Sequence, residues 1–179
     1  MNVTVYMAAS MGTDPAFERA ARELGAWIGQ SGNTLVFGGS KTGLMGAVAQ
    51  SALENGAYAI GIEAQEFYDR GLHYEGLSEL IVLPDIFQRR RRMVELGDAF
   101  IALPGGTGTL EEIAEIMSSV SLKHMDEPCI LLNINGYYEG LRTLLSTMVE
   151  KGLCTHERLK DIFFVESVDE AVKILKQAN

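Results

Sequence analysis

The 179-residue chain is acidic, with 24 Asp and Glu residues against 15 Lys and Arg residues and a formal net charge of −9. With 47% hydrophobic residues, it is long enough to bury a substantial core, and we expect one domain spanning residues 1–179. The negative charge disfavours nucleic-acid binding, which needs a basic stripe, but it is compatible with a small phosphorylated ligand.

The cysteine, histidine and hydropathy patterns favour neither a metal centre nor a membrane protein. Cys129 and Cys154 lack the spacing of metal ligands and are predicted to be reduced, mostly buried thiols. The histidines are scattered along the chain. The N-terminus lacks the basic start and long apolar core of a secretory signal, and no apolar run approaches the roughly 20 residues that cross a bilayer. We expect a cytoplasmic protein without a metal, cofactor or membrane partner.

Seven short apolar segments are predicted as β-strands, and amphipathic helices separate most of them. The strands are predicted at residues 3–7, 34–37, 58–62, 79–83, 99–103, 128–133 and 162–165. Helices are predicted at residues 15–30, 44–55, 86–96 and 137–151, from about residue 110, and after a capping box at Ser167. Leu110 and Leu144 are among the leucines expected to face inward. Residues 63–76 are polar and are predicted as an irregular loop able to overhang a site.

This alternation of strands and helices predicts an α/β fold. We expect a single-domain, doubly wound, Rossmann-like sheet of about seven mainly parallel strands, with helices on both faces. Such sheets bind ligands at the carboxyl ends of the strands, near the point where the strand order reverses. The loops at residues 8–12, 38–46 and 104–109 all follow strands. They are therefore predicted to converge on one crevice.

The loop at residues 104–109 has the composition of a phosphate site. Gly105, Gly106 and Gly108 permit close approach of the backbone to a ligand, and the following helix N-terminus supplies unpaired N–H groups. Glu112 follows within the first turns of the helix and is a candidate catalytic carboxylate. The alternative is structural, because Thr109 and Glu112 have the spacing of a capping box. Neither the dinucleotide fingerprint nor the P-loop pattern is present.

Two further segments supply candidate site residues. The glycine-rich turn at residues 38–46 is a second candidate cradle for phosphate or ribose, with Lys41 as a counter-charge; an ordinary turn with a solvated lysine is the alternative. Four consecutive arginines, residues 89–92, lie in a predicted helix. Arg89 or Arg90 must lie along its apolar face, where a guanidinium needs an anionic partner.

The motifs together resemble one known family. The sequence Pro-Gly-Gly-Thr-Gly-Thr-Leu-Glu-Glu at residues 104–112 matches the PGGxGTxxE motif of the LOG ("Lonely guy") cytokinin riboside 5′-monophosphate phosphoribohydrolases. The resemblance continues in the GGxxxGLMG segment at residues 38–46, the Asp-Ala-Phe-Ile-Ala-Leu segment at 98–103 and Asn-Gly-Tyr-Tyr at 135–138. Members of this family are often mislabelled as lysine decarboxylases.

The resemblance implies hydrolysis of the N-glycosidic bond of a nucleoside 5′-monophosphate, AMP or N6-prenylated AMP, by a homodimer. It implies that Arg89 and Glu112 are catalytic, with Arg90 where the family has lysine. The implied substrate-binding residues are Ser10, Gly39, Ser40, Met45, Arg90, Gly105, Gly106, Thr107, Gly108 and Thr109.

Several positions depart from the family pattern, and they bear on base preference. Residues 7–10 read Met-Ala-Ala-Ser in place of Cys-Gly-Ser-Ser, Ser40 replaces a glycine, and Ser119 stands where tryptophan is usual. The alternative function is a non-catalytic carrier, because related folds hold the molybdenum cofactor. A carrier does not need an arginine and a glutamate beside the phosphate, so that pair favours an enzyme. A lysine decarboxylase is disfavoured because no lysine lies in a pyridoxal-binding context.

Overall fold

The computed structural model describes residues 1–177, so the last two residues of the predicted domain lie outside it. The strands are β1 (Asn2–Tyr6), β2 (Thr34–Phe37), β3 (Tyr58–Ala64), β4 (Glu79–Leu83), β5 (Ala99–Ala102), β6 (Cys129–Leu132) and β7 (Ile162–Val165). The helices are α1 (Pro15–Gln30), α2 (Gly43–Glu54), α3 (Gln65–Tyr68), α4 (Ile86–Leu96), α5 (Thr107–Ser121), α6 (Glu139–Glu150), α7 (His156–Leu159) and α8 (Val168–Gln177). A 3₁₀ turn, Ile134–Gly136, precedes α6.

The strands form one sheet with the order β4-β3-β2-β1-β5-β6-β7. Every neighbouring pair is parallel. The predicted doubly wound α/β fold is therefore confirmed. The chain first builds outward from β1 to β4 and then returns to pair β5 with the other side of β1. The strand order thus reverses between β1 and β5, where such sheets bind ligands.

Each face of the sheet carries its own hydrophobic core. In β1, Val3 and Val5 point to the core beneath α1, α2 and α8, whereas Tyr6 points to the core beneath α4 and α5. This alternation follows from the two-residue period of a strand. Thr4 also lies on the α4 face, and its hydroxyl donates to the Met93 carbonyl at 3.2 Å. Strand β1 is thus buried on both sides, as central parallel strands usually are.

Helices α1 and α2 pack closely because α1 presents glycine to α2. A Cβ on Gly25 would lie 2.5 Å from the Val48 carbonyl oxygen. A Cβ on Gly29 would lie 2.7 Å from the carbonyl oxygens of Ala52 and Asn55. The missing side chains therefore set the distance between the two helices that cover this face.

Some predicted details are wrong. Helix α5 begins at Thr107, about one turn earlier than predicted, because the glycine loop itself enters the helix. The segment predicted as an irregular loop instead begins with the end of β3 and the short helix α3. The short helix α7 was also absent from the prediction. Leu110 and Leu144, predicted to face inward, are 45% and 51% exposed.

The cysteines occupy different environments. Cys129 lies in the core beneath α5, and burial raises the pKa of its thiol to about 12. Its thiol therefore stays protonated, as the prediction of a buried thiol requires. Cys154 is only partly buried. Among residues 1–177, no helix is long and apolar enough to cross a membrane.

The close helix contact predicts that Gly25→Ala destabilises the protein. Alanine is the better helix former by about 1 kcal/mol, but its Cβ collides with the α2 backbone, and overpacking costs about 1–3 kcal/mol. Gly140→Ala in α6 is the control, because a Cβ there meets no atom within 4 Å. In urea, the free energy of unfolding should be lower for Gly25→Ala than for the unmodified protein. It should be unchanged or higher for Gly140→Ala. Equal stability of the two variants would contradict the role of Gly25.

Candidate active site

One cavity of about 590 Å³ opens at the carboxyl ends of the strands. Its walls come from the segments that follow β1, β2 and β5, together with the end of β3 and one side of α4. It therefore lies over the reversal point of the sheet, and the predicted convergence of three loops is confirmed.

A largely buried ion pair lines the cavity. Arg89, which is 8% exposed, donates from Nη1 to Glu112 Oε1 at 2.8 Å. Its Nε donates to the Ile62 carbonyl oxygen at 2.8 Å. The predicted arginine on the apolar face of α4 is thus Arg89, and its anionic partner is the glutamate of the glycine-loop motif. A buried guanidinium with fixed acceptors holds the carboxylate in one orientation.

The Glu112 carboxyl has two opposing influences on its protonation. Burial raises its pKa above the usual value, and the Arg89 guanidinium offsets part of that rise. Arg90 lies beside this pair, with Nη1 on Glu111 Oε1 and Nε 4.0 Å from Glu115 Oε2. The last two arginines of the run, Arg91 and Arg92, instead pair with Glu95 at the surface.

The glycine loop presents the N-terminus of α5 to the cavity. Gly106 is the N-cap residue, and it has no side chain with which to satisfy the first N–H groups of the helix. A Cβ on Gly106 or Gly108 would meet no protein atom within 4 Å, although both residues line the cavity. Packing within the chain does not require these two glycines, so their absent side chains leave room for a ligand. Gly105 differs, because a Cβ there would collide with Thr109.

The capping-box alternative for Thr109 and Glu112 is wrong. Thr109 lies within α5, two residues after the first helical residue, and is buried. The N-cap makes no side-chain hydrogen bond, and the Glu112 carboxylate is engaged by Arg89. Glu112 therefore faces the cavity rather than the helix end.

Two tyrosines hold the glycine loop in place. The Tyr137 hydroxyl donates to the Gly105 carbonyl, and the Tyr138 hydroxyl donates to the Leu103 carbonyl at 2.7 Å. The turn that carries them is anchored by Asn135, whose side chain donates to Asp14 at 2.8 Å. The Asn-Gly-Tyr-Tyr segment thus supports the loop from outside the cavity.

The second glycine-rich turn makes room for side chains from other elements. A Cβ on Gly38 would collide with the Arg89 guanidinium. Ser40 and Thr42 line the cavity, and their hydroxyl oxygens are 3.0 Å apart. Lys41 is exposed and does not line the cavity, so the structure gives no support to the predicted counter-charge.

The structure brings most of the predicted site residues together. The cavity is lined by Ser10, Ser40, Met45, Arg89, Arg90, Gly106, Thr107, Gly108, Thr109 and Glu112. Gly39 and Gly105 are not part of the lining and instead accommodate neighbouring side chains.

The segment at residues 63–76 borders the cavity, as the sequence predicted, but sequence reasoning named none of the residues that line this wall. Glu63 from β3, Phe67 from α3 and Leu72 from the following segment all line it. The signal for Glu63 was a charged residue at the carboxyl end of an apolar strand. No periodicity marks Phe67 or Leu72, because their placement depends on how the segment folds over the sheet. Among the described residues, no three His, Cys, Asp or Glu side chains are grouped to hold a metal ion.

Comparisons with known proteins place the chain in a sequence family. A sequence model of the family described as "Possible lysine decarboxylase" matches residues 45–175. The cytokinin riboside 5′-monophosphate phosphoribohydrolase of Rhodococcoides fascians is 36% identical over 177 residues, covering 98% of this chain and 89% of that protein. The phosphoribohydrolase LOG3 of Arabidopsis thaliana is 35% identical over 175 residues, covering 98% and 81%. The chain belongs to the LOG family.

The fold of this LOG-family chain is also similar to solved structures from a second group of proteins. The molybdenum cofactor binding protein of Rippkaea orientalis superposes with a TM-score of 0.73 at 23% identity, covering 98% of this chain and 95% of that one. The molybdenum cofactor carrier protein of Chlamydomonas reinhardtii superposes with a TM-score of 0.76 at 21% identity, covering 99% of this chain and 96% of that one. At these identities the likeness concerns the fold alone.

The free space beside Gly108 predicts separate effects on stability and on binding. Gly108→Ala should leave the free energy of unfolding unchanged or raise it by up to about 1 kcal/mol, because alanine favours the helix. The same methyl group should lower the affinity for AMP about tenfold or more, by blocking close approach to the backbone N–H groups. Urea unfolding and titration calorimetry measure the two effects. Unchanged AMP binding by Gly108→Ala would contradict a phosphate at this loop.

Proposed function

We propose that this protein hydrolyses the N-glycosidic bond of a nucleoside 5′-monophosphate, AMP or N6-prenylated AMP, to the free base and ribose 5-phosphate. The observation that carries the proposal is the buried Arg89–Glu112 pair, which opens into the cavity beside a glycine-lined helix N-terminus. The relatives from Rhodococcoides fascians and Arabidopsis thaliana, both phosphoribohydrolases by name, support the same reaction.

The 5′-phosphate fits the N-terminus of α5. The N–H groups of Thr107 and Gly108 have no acceptor within the helix, and the helix dipole favours an anion there. Glu112 lies further along the same helix, so a phosphate bound at the loop places the ribose beside the carboxylate. Anchoring a remote group in this way fixes the reacting carbon relative to the catalytic group.

Departure of the base leaves an oxocarbenium-like ribose, which an adjacent carboxylate stabilises or traps covalently. Glu112 must be ionised for either role. The Arg89 guanidinium favours that ionised form and restricts its orientation, because Arg89 is itself fixed by the Ile62 carbonyl. We assign Arg89 to orienting Glu112 and Glu112 to the anomeric carbon.

A non-catalytic carrier is the second candidate, favoured by the fold likeness to molybdenum cofactor carriers. A carrier needs an anion site and a cavity, but it does not need a buried carboxylate fixed by arginine within that cavity. A lysine decarboxylase has less support, since among residues 1–177 no lysine lines the cavity to form a Schiff base with pyridoxal phosphate.

The test is release of free base from AMP, isopentenyl-AMP, GMP and CMP, resolved by chromatography. Glu112→Gln should lower kcat by about 100- to 1,000-fold, because the neutral amide cannot stabilise the developing positive charge. Nucleotide affinity should change little, since the loop that binds phosphate is intact. Glu95→Gln, an exposed change on α4, is the matched control and should retain activity.

The alternatives predict different results in this assay. Tight AMP binding without base release by the unmodified protein would support the carrier. Full activity of Glu112→Gln would exclude the proposed role of this carboxylate even if the protein is a hydrolase.

We also propose a cytoplasmic homodimer that pairs through the outer surfaces of α4 and α5. Phe87 on α4 is 70% exposed, and its ring packs against the Arg90 guanidinium at 5.2 Å. Leu110 on α5 and Leu122, which caps its C-terminus, are exposed. Large apolar side chains beside an arginine are typical of the centre of an interface.

Phe87→Asp should therefore shift the dimer towards monomer, raising the dissociation constant about tenfold or more. Leu153→Asp is the control, because Leu153 is 78% exposed in the segment between α6 and α7. Light scattering after size-exclusion chromatography measures both variants. A monomeric unmodified protein, or equal dimerisation of both variants, would overturn this interface.

A further inference from the structure

The cavity contains a buried carboxyl group to which the proposed mechanism assigns no role. Glu63, at the carboxyl end of β3, is only 1% exposed and lines the cavity. Its Oε2 atom has no hydrogen-bond partner among the described residues. An unpaired buried carboxyl oxygen is costly, so its presence at a cavity wall points to a ligand that supplies the missing partner.

The chain makes specific room for Glu63. A Cβ on Gly39 would lie 2.9 Å from Cγ of Glu63, so the glycine of the second turn accommodates this side chain. The segment after α3 is held over the same turn, because the Tyr74 N–H donates to the Gly39 carbonyl at 2.7 Å and the Lys41 N–H donates to the Leu72 carbonyl at 2.8 Å. The glycine turn that borders Glu63 is therefore held in place by the segment after α3.

The titratable side chains that face Glu63 are Arg89 from α4 and His73 from the segment after α3. Arg89 already donates to Glu112 and to the Ile62 carbonyl, and Nδ1 of His73 has no partner among residues 1–177. Burial raises the pKa of the Glu63 carboxyl, and its neighbours His73 and Arg89 offset only part of the rise. The protonated carboxylic acid is thus favoured more than for an exposed glutamate.

Glu63 lies at the end of the cavity opposite the glycine loop. Strands β3 and β5 are three positions apart in the sheet, and a strand spacing of about 4.8 Å separates their ends by about 14 Å. With the phosphate on α5 and the ribose beside Glu112, the base extends towards β3. Phe67 and Leu72 supply apolar surface at that end for a flat ring.

The geometry points to Glu63 as the residue that recognises a 6-aminopurine base and protonates it as it leaves. This inference rests on the proposed hydrolase function and assigns a group to the base end of the same cavity. Glu63 is thereby a second catalytic residue, acting on the base while Glu112 acts on the sugar.

The recognition follows from complementary hydrogen bonding. Adenine presents N7 as an acceptor beside the N6 amino group as a donor, whereas guanine presents two acceptors, N7 and O6. A carboxylic acid donates through its O–H and accepts through its C=O, so it matches N7 and N6–H of adenine. Monoalkylation of N6 leaves one N–H, so N6-prenylated AMP keeps the match. A 6-oxopurine places its O6 against the carbonyl oxygen of Glu63.

The same hydrogen bond supplies the proton that the reaction needs. When the C1′–N9 bond breaks, its electron pair passes into the purine ring, and the Glu63 proton moves to N7. The base leaves as the neutral N7–H tautomer, and Glu63 becomes a carboxylate. Water adds to C1′ and releases one proton to solvent, and uptake of one proton from solvent restores Glu63. One water molecule is consumed in each turnover.

The experiment compares Glu63→Gln and Glu63→Ala on AMP, IMP and 4-nitrophenyl ribose 5-phosphate. Glutamine has the same donor and acceptor but no acidic proton, so kcat for AMP should fall about 100-fold while the preference for AMP over IMP remains. Alanine should also lower that preference, by about tenfold. Nitrophenolate leaves without protonation, so both variants should hydrolyse the nitrophenyl substrate nearly as fast as the unmodified protein. Glu66→Gln, an exposed change three residues away, is the control.

The pH profile gives an independent readout. Because the acid must be protonated, kcat/KM for AMP should fall as the pH rises through the raised pKa of Glu63, and this fall should be absent for the nitrophenyl substrate. The role of Glu63 is overturned if Glu63→Gln turns over AMP as fast as the unmodified protein, or if its kcat falls equally for AMP and for the nitrophenyl substrate. Either result leaves the hydrolase proposal intact. An unmodified protein that cleaves none of the three substrates overturns the hydrolase proposal and this inference with it.

Discussion

The guanidinium of Arg89 is the group on which the cavity depends. A buried charge is tolerated only when it is paired and hydrogen-bonded, and Arg89 obtains its partners from two different elements, Glu112 of α5 and the Ile62 carbonyl of β3. It also occupies the space that Gly38 leaves free at the end of β2. A single side chain from α4 thereby connects the sheet to the helix that follows the glycine loop. Loss of the Glu112 carboxylate would leave the guanidinium charge uncompensated, so this pair has a structural role beside the proposed chemical one.

Much of the fold was predictable because local patterns and tertiary structure agree. The seven apolar segments are short and bounded by breakers, and parallel strands buried on both faces need continuous apolar sequence. The errors arise where a local pattern does not determine burial. Leu110 and Leu144 have helical spacing but lie at the edges of their apolar faces and are exposed. The start of α5 was misplaced because glycine and threonine, both poor helix formers, begin that helix next to the cavity.

Some residues of the candidate site were predictable from the sequence and others were not, for a physical reason. Gly106, Gly108 and Glu112 form a compact motif at a strand-to-helix junction, whose chemistry can be read from adjacent residues. The helical face left Arg89 and Arg90 as candidates, the resemblance to the family favoured Arg89, and the structure pairs Arg89 with Glu112. Glu63 was missed because a carboxylate at a strand end is ordinarily solvated. Its burial results from the segment that folds over it, which has no periodic pattern. The assignment of these residues to substrate stays a prediction.

The support of the glycine loop by Tyr137 and Tyr138 has a consequence for synthesis of the chain on the ribosome. The loop is complete in sequence by Thr109, yet its two tyrosine hydrogen bonds come from residues made about thirty positions later. The turn that bears them is tied back to Asp14, near the start of the chain. A nascent chain that ends before Tyr138 therefore has the glycine loop but lacks at least one of the two hydrogen bonds that support it. The hydrogen bonds that support the loop therefore form only after this late turn has been synthesised.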